Sequence, residues 1–576
     1  MKKRTLLTCG LAAALFAGCS SDDKLTVDDG TVSNGGSGYL ALNVSLPTTG
    51  NAPRAIADDQ RDDKYNQGAA NEYAVNSIHL VCYDASGNAL QAFKYTGNAW
   101  STPPAATGIT TESVLKVQPV QSDVAQILVL VNAPETLTFG TDAEGKLNGK
   151  MTYNSTTVST YDAFKNLKFT DDVTGGGSKF YMSNSPLSNG TALTELVQVD
   201  PKNTMEEAMA DVRTVNVERA TGKVSLAHKA NKQPTDDGYP EGWTDWEYQL
   251  GASGYVKDKV TFQSWMLDIT NTVTYPVRHY NIAWEKADLE GKNGQRFRGT
   301  TTYKGNGNAA YNRTYWAEDP NYGALYTYAE ADFTSIKTNT YSGQNLANAL
   351  YCKENTFTVQ NMEQRQSTRV LLQAKYLPFK NDSWAPESDG TWYRLGNSNT
   401  PYNAGEINAL INNISGCSGV TIKSTLAATP ARVFTADDFD HLTDAVNQVN
   451  AINKTLGTIT IFAEGICYYV ARIQHFGSYY TPWGAEPDGN ATGFDQYINY
   501  TKQSDSDALN KAFLGRYGIV RNNWYELELG KVSAPGEPTV PNIPTGTNNS
   551  DDELNYYIQA NINIMDWAVR KQSVNL

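Results

Sequence analysis

The chain has 576 residues and a formal net charge of −14, with 47 Lys and Arg against 61 Asp and Glu. Its length allows two or more domains, and its acidic balance excludes the basic surface that phosphate backbones require. Only 19% of residues are charged, while Tyr reaches 34 and Gly 46, which suits an extracellular all-β protein with long polar loops.

The N-terminus reads as an export signal. MKKR (1–4) is a positive n-region, and Leu6 to Ala17 form an apolar core too short to span a bilayer. It ends in LFAGC (15–19), which resembles a bacterial lipobox except that Phe16 stands where Leu is more usual. Cleavage before Cys19 and acylation of that residue are expected. SSDD (20–23) resembles the acidic export tag of Bacteroidetes surface lipoproteins. No later segment approaches 18 apolar residues, so the membrane is expected to be met only through the precursor's lipid.

Residues 24–38 are a Gly/Ser/Asp-rich tether, followed by a strand pattern over Tyr39–Leu46 in which Leu40, Leu42, Val44 and Leu46 share one face. A polar stretch holding Arg54 and, seven residues on, Arg61 comes next. Strand candidates then follow at 75–84, 89–97, 114–120 and 125–134, the last apolar enough to be covered on both faces. Seven or so short strands at such spacing suggest a sandwich.

A second series begins at VRTVNVERATGKVSLAHK (212–229), read as two strands about a turn at Thr221–Gly222. It continues at 260–270, 355–360, 367–379, 458–465 and 466–476, with long polar, aromatic-bearing segments at 280–350 and 380–455. The second of those segments predicts one helix. Thr435 caps it, Asp438 completes a capping box, Phe439, Leu442, Val446 and Val449 form its apolar stripe, and Gly457 ends it. After a Pro/Gly/Asn-rich linker (531–553), the tail 554–576 places Tyr556, Ile558, Ala560, Ile562 and Ile564 on one face of a final strand.

Chemistry-bearing constellations do not emerge. The five histidines lack an HExxH or triad-like setting, and no metal-ligand cluster or Gly-rich phosphate loop occurs. No catalytic, cofactor or metal residue is therefore expected. Cys82, Cys352, Cys417 and Cys467 are widely spaced, and spacing alone cannot pair them. Aromatic-rich stretches such as 314–328 and 478–490 read as loops over a sandwich, with sugar stacking as the alternative.

The two ends suggest an exchange. A cut after Arg54 would carry away the Tyr39–Leu46 strand, and the tail of another copy could fill the vacancy by β-strand addition. Residues alone leave open the plainer reading of a solvated arginine and a tail that pairs at home.

The lipobox start, the strand followed by APRA, VERATGKVSL, STRVLLQAKY, GICYYVARI, RYGIVRNNWYELEL (516–529) and INIMDWAVRKQSVNL together resemble the fimbrilin family of Bacteroidales, the type V pilins, and within it the stalk subunits of minor-type fimbriae. The resemblance implies two transthyretin-like β-sandwich domains in tandem, with long loops and a helix in the second. It also implies an outer-membrane lipoprotein precursor, maturation by an Arg-specific protease and a homopolymer on the cell surface joined by accessory tip and anchor pilins. Adhesion and biofilm formation would be its role, with no enzymatic activity.

Carried onto this sequence, the family pattern gives a signal peptide at 1–18, a lipidated propeptide at 19–54 and sandwiches at 55–211 and 212–530. The cut falls at Arg54–Ala55, the removed strand bears Leu40, Leu42, Val44 and Leu46, and the donor region is 554–576. The alternative is an unprocessed, monomeric surface lipoprotein that binds glycan or host protein.

Overall fold

The period-two runs become strands in a computed structural model that describes residues 37–47, 69–96, 110–228, 247–249, 257–283, 297–304, 310–321, 333–334, 348–358, 366–380, 383–384, 389–398, 400–475, 514–515, 517–541, 558–565 and 568–569. The fold is all-β, with a few short helices.

Its first sheet is built from β1 (Ser37–Pro47), β2 (Ser77–Tyr83), β3 (Ala89–Thr96), β4 (Thr110–Gln121), β5 (Gln126–Val131), β6 (Met182–Asn184) and β7 (Arg213–Arg219). A short helix, α1 (Met205–Ala210), precedes β7. The strand order is β3-β2-β5-β6-β7-β1-β4, with a two-residue strand at Val197–Gln198 added on β5. Leu90 and Phe93 of β3 share one core with Val120 of β4, so the two ends of this sheet curl over the same apolar interior. On the other face, Val81, Leu128 and Leu130 pack with Met151, Phe164 and Phe169. Cover on both sides explains why the β5 region is apolar at successive positions.

The chain then changes sheet at Ala220. β8 (Thr221–His228) follows β7 directly but does not pair with it, so the turn expected at Thr221–Gly222 is not a hairpin. Val215 and Val217 lie in the first core and Val224 and Leu226 in the second. A boundary at 211/212 had assigned β7 to the C-terminal unit, whereas its buried residues complete the N-terminal core.

The second unit pairs two sheets. Its strands are β9 (Glu247–Gln249), β10 (Lys259–Asp268), β11 (Leu350–Lys353) and β12 (Arg369–Leu377). They are followed by β13 (Trp392–Leu395), β14 (Thr429–Arg432), β15 (Ile459–Phe462), β16 (Ile466–Arg472), β17 (Asn523–Val532) and β18 (Ile558–Met565). One sheet runs β11-β8-β17-β18 and the other β9-β10-β12-β16. Trp265, Leu372, Tyr376, Tyr469, Tyr525 and Leu527 fill the space between them. The strand expected over 355–360 is absent from its described residues 355–358, where Asn355 makes only an isolated bridge to Ile519.

The segment 380–455, expected as loop with one helix, joins the expected strand at 458–465 in a core of its own. Tyr393, Ile407, Ile411, Ile452 and Ile461 pack together, bringing two helices against the β13-β15-β14 strands. Helix α2 (Ala404–Asn412) is capped by Asn403, whose side chain accepts from the Glu406 amide at 2.7 Å while the Glu406 carboxylate accepts from the Asn403 amide at 3.0 Å.

The helix expected over 435–457 is broken in two. The Thr435–Asp438 box closes a single 3-10 turn, because Asp438 is drawn into an ion pair with Arg432 at 2.5 Å and Phe439–Asp440 pairs as a strand with Thr421–Ile422. His441 takes φ 65°, and α3 (Ala445–Leu456) starts only after Asp444. Val446, expected on the apolar stripe, is 71% exposed, while Gln448 and Ile452 form the buried face. Gly457 ends the helix at φ 74°, as expected.

Two histidines, one buried and one half-buried, make this fold acid-sensitive. His79 stacks on Phe139 at 4.3 Å, and burial, aided by Lys94, holds its pKa down to about 4. His279 stacks on Tyr275 at 3.7 Å, donates from Nε2 to the Lys165 carbonyl at 2.7 Å, and is likewise held by burial to about 4. Both pKa values lie below the ordinary 6.5, so the unfolded chain binds more protons between pH 6.5 and 4. Stability is therefore complete above about pH 6.5 and is expected to fall by on the order of 3 kcal/mol per histidine on the way to pH 4. Denaturant melts at steps through that window check this, and His79→Gln with His279→Gln should flatten the slope.

Candidate strand-exchange site and the junction behind it

β1 is an interior strand. It pairs in parallel with β7, Leu42 opposite Arg213 through Ser45 opposite Asn216, and antiparallel with β4, Ser37 opposite Gln121 through Pro47 opposite Thr110. Leu40, Leu42 and Val44 are 4%, 2% and 0% exposed, so this strand supplies part of the core as well as two ladders. Leu46 belongs to β1 by its backbone. Cys19, Arg54, Ala55 and Arg61 lie outside the described residues.

The outer side of β1 is held by the segment leading into α1. Tyr39 donates its amide to the Lys202 carbonyl at 2.7 Å and accepts from the Lys202 amide at 3.0 Å. Thr204 caps α1 and Glu207 completes its box, which explains why so short a helix forms. Ala208 is its buried residue, and α1 packs against β1.

At the other end of the chain, Ile558, Ala560, Ile562 and Ile564 fall on β18, while Tyr556 lies outside the described residues. β18 runs antiparallel to β17, with Ile564 opposite Tyr525, Ile562 opposite Leu527, Ala560 opposite Leu529 and Ile558 opposite Val532. In the full-length chain β18 is thus paired within its own second unit, at a sheet edge, and among the described residues it is hydrogen-bonded to one strand rather than two. β1 and β18 do not meet.

Where β7 passes into β8 lies a junction of buried charges. Glu218 receives two bonds from Arg278, at 2.8 and 2.7 Å, with both side chains at most 1% exposed. Arg219 donates to the Glu72 carbonyl at 2.7 Å and to Asn522 Oδ1 at 2.9 Å, joining the N-terminal turn, the end of β7 and the start of β17. Lys223 of β8 reaches Glu72 at 2.7 Å and lies 3.7 Å over the Trp524 ring, while Tyr351 also donates to Glu72. Arg521 pairs with Glu354 at 2.9 Å. Burial works to raise the Glu72 pKa, but Lys223 and Tyr351 outweigh it and hold the carboxyl below its ordinary range. Glu72, Arg278 and Glu354 carry no periodic or motif signal in the sequence, so nothing short of the fold reveals this cluster.

Cys82, Cys352, Cys417 and Cys467 are all buried and unpaired, and among the described residues no group of side chains is arranged to hold a metal. None of the described helices is long and apolar enough to cross a membrane.

Residues 491–573, spanning β17 and β18, match the family model described as the C-terminal region of fimbrillin, the type IV major fimbrial subunit protein. This part of the chain resembles the C-terminal region of fimbrillins. No curated protein sequence matches this chain significantly. Among solved structures, a Parabacteroides distasonis protein titled for a proposed cell adhesion role is 12% identical, covering 93% of this chain and 98% of that one at a TM-score of 0.37. A fimbrilin of Porphyromonas gingivalis W83 is 12% identical over 92% of this chain and 99% of that one, at 0.34. The C-terminally truncated tip fimbrial protein Mfa3 of Porphyromonas gingivalis is 10% identical over 92% and 100%, at 0.30. The matched region includes β17, whose sheet neighbours are β8 and β18.

Proposed function

We propose that this chain is a fimbrillin, the shaft subunit of a cell-surface fimbria, with no catalytic role. It is exported as an outer-membrane lipoprotein acylated at Cys19, matured by an Arg-specific protease at Arg54–Ala55, and polymerised by strand exchange between copies of itself. Accessory tip and anchor subunits complete the fibre, and adhesion with biofilm formation is its use.

The observation that carries this reading is the interior place of β1 between β7 and β4. A propeptide strand at a sheet edge could leave with little consequence. Removing this one strips two ladders and the side chains of Leu40, Leu42 and Val44 from the core. Unpaired edges of that kind template another strand. The tail is suited as filler because its register with β17 already follows the alternation of a core strand. Groove and tail are different surfaces, so the contact is head-to-tail and grows a filament instead of a closed dimer.

Fibres sheared from cells test this directly. Without boiling they should run as a ladder on a denaturing gel, collapse to one band on boiling, and give a subunit whose first residue is Ala55 (or Asp62, after a cut at Arg61). Subunits that retain residues 37–47 would overturn the proposal. The home pairing of β18 with β17 favours a second reading, an unprocessed monomeric surface lipoprotein that binds glycan or host protein. That reading predicts a single unboiled band with a lipidated Cys19.

A further inference from the structure

Gly38 opens the inward-facing series Gly38, Leu40, Leu42, Val44 of β1, and a proline ring stands over it. A Cβ built on Gly38 would lie 2.4 Å from Pro201 Cβ and 3.4 Å from the Lys202 carbonyl oxygen. The ring cannot swing aside as a flexible side chain would. Lys202, next in line, is fixed by its paired backbone bonds to Tyr39 and by ion pairs to Asp200 at 2.9 Å and Asp211 at 3.1 Å. The capped α1 continues the same segment, so residues 201–210 form a clasp over the first turn of the groove.

This clasp distinguishes the strand that is present from the one proposed to replace it. The tail 554–576 contains no glycine. In either strand direction, any of its residues brought to the Gly38 position would carry a Cβ into Pro201. We propose that Pro201 is the register-determining residue of the groove: it admits the propeptide strand through Gly38 and stops a strand from a second copy at the Leu40 position. The clasp then loses its strand partner when subunits join. This inference rests on the strand-exchange reading for its second half, but its first half does not.

Hydrogen exchange on the full-length precursor tests the first half. Gly38→Val is expected to speed exchange of peptides covering Lys202 at least tenfold, with β2 and β5 unchanged. In a Pro201→Gly background the same substitution should change them less than twofold. Equal effects in both backgrounds, or none, would overturn the clasp. Should Gly38→Val fail to fold, Gly38→Ala places the same Cβ with less bulk. Assembled fibres test the second half, since peptides covering Lys202 should exchange freely there, and their protection would overturn the register stop. Absence of any fibre from protease-treated precursor would count against strand exchange itself, leaving the clasp to be judged by the precursor measurement.

Discussion

Deleting residues 554–576 is expected to abolish fibre growth completely while leaving export and cleavage after Arg54 intact. The reason is a difference in what each site offers the tail. On β17 the tail strand has one hydrogen-bonded neighbour, whereas the groove vacated by β1 has two, β7 in parallel and β4 antiparallel. Ladder bonds contribute on the order of 1 kcal/mol each, so under the proposed exchange the second neighbour, with the apolar positions left empty in the core, would tip the tail toward the groove. Before cleavage β1 occupies that groove and the tail has no better place to go. A truncated subunit keeps its acceptor groove but has nothing to donate. Substoichiometric addition of it to intact subunits should therefore terminate fibres and shorten the unboiled ladder in proportion to its mole fraction. Its melting temperature is expected to fall only modestly, since β18 is an edge strand. Normal polymerisation by the truncation, or mixing that leaves fibre length unchanged, would remove the tail from the role of donor.

What was legible in the sequence follows from how local each signal is. β1, β2, β3, β5, β10, β12 and β16 were readable because alternation and turn residues announce a strand without reference to its neighbours. The same local reading failed at Thr221–Gly222, where two alternating runs imitate a hairpin although they serve different cores. It failed again at Thr435, where a sound capping box is overruled by the Arg432–Asp438 pair and by strand pairing of Phe439. α2 was missed although its Asn403–Glu406 box is followed by Ile407, Leu410, Ile411 and Ile414 at helical spacing, a local signal that could have found it. For the candidate site, the apolar series of both terminal strands could be read directly. That β1 is interior, and that Pro201 stands over Gly38, depends on residues from more than 60 to more than 160 positions away in the chain and has no local trace.

Replacing Arg278 with Met is expected to destabilise the fold by about 3–5 kcal/mol, the largest loss from any single change in the junction. Its guanidinium is fully buried and donates to both Glu218 oxygens, to the Thr314 and Tyr315 carbonyls and, at 3.1 Å, to that of Arg521. Without it, the buried Glu218 side chain keeps, among the described residues, only Ser185 as a side-chain donor, at 3.2 Å. Removing the charge as well changes the outcome. Arg278→Met combined with Glu218→Met should cost less than the single change, because a buried pair of ions replaced by apolar groups is nearly neutral while half a pair is not. For units of this size the single variant should melt roughly 10 °C lower, at about 2–4 °C per kcal/mol. A loss below 1 kcal/mol, or a double variant as unstable as the sum of the singles, would mean that the pair does not brace the chain where β7 passes into β8. That crossing has a consequence for a fibre, because β7 lines the groove and β8 supports β17 and, through it, the tail. Pull arriving at the groove would reach the next subunit through Ala220 and the charges locked around it, and the Met variant should yield fibres that break at lower shear even where they assemble.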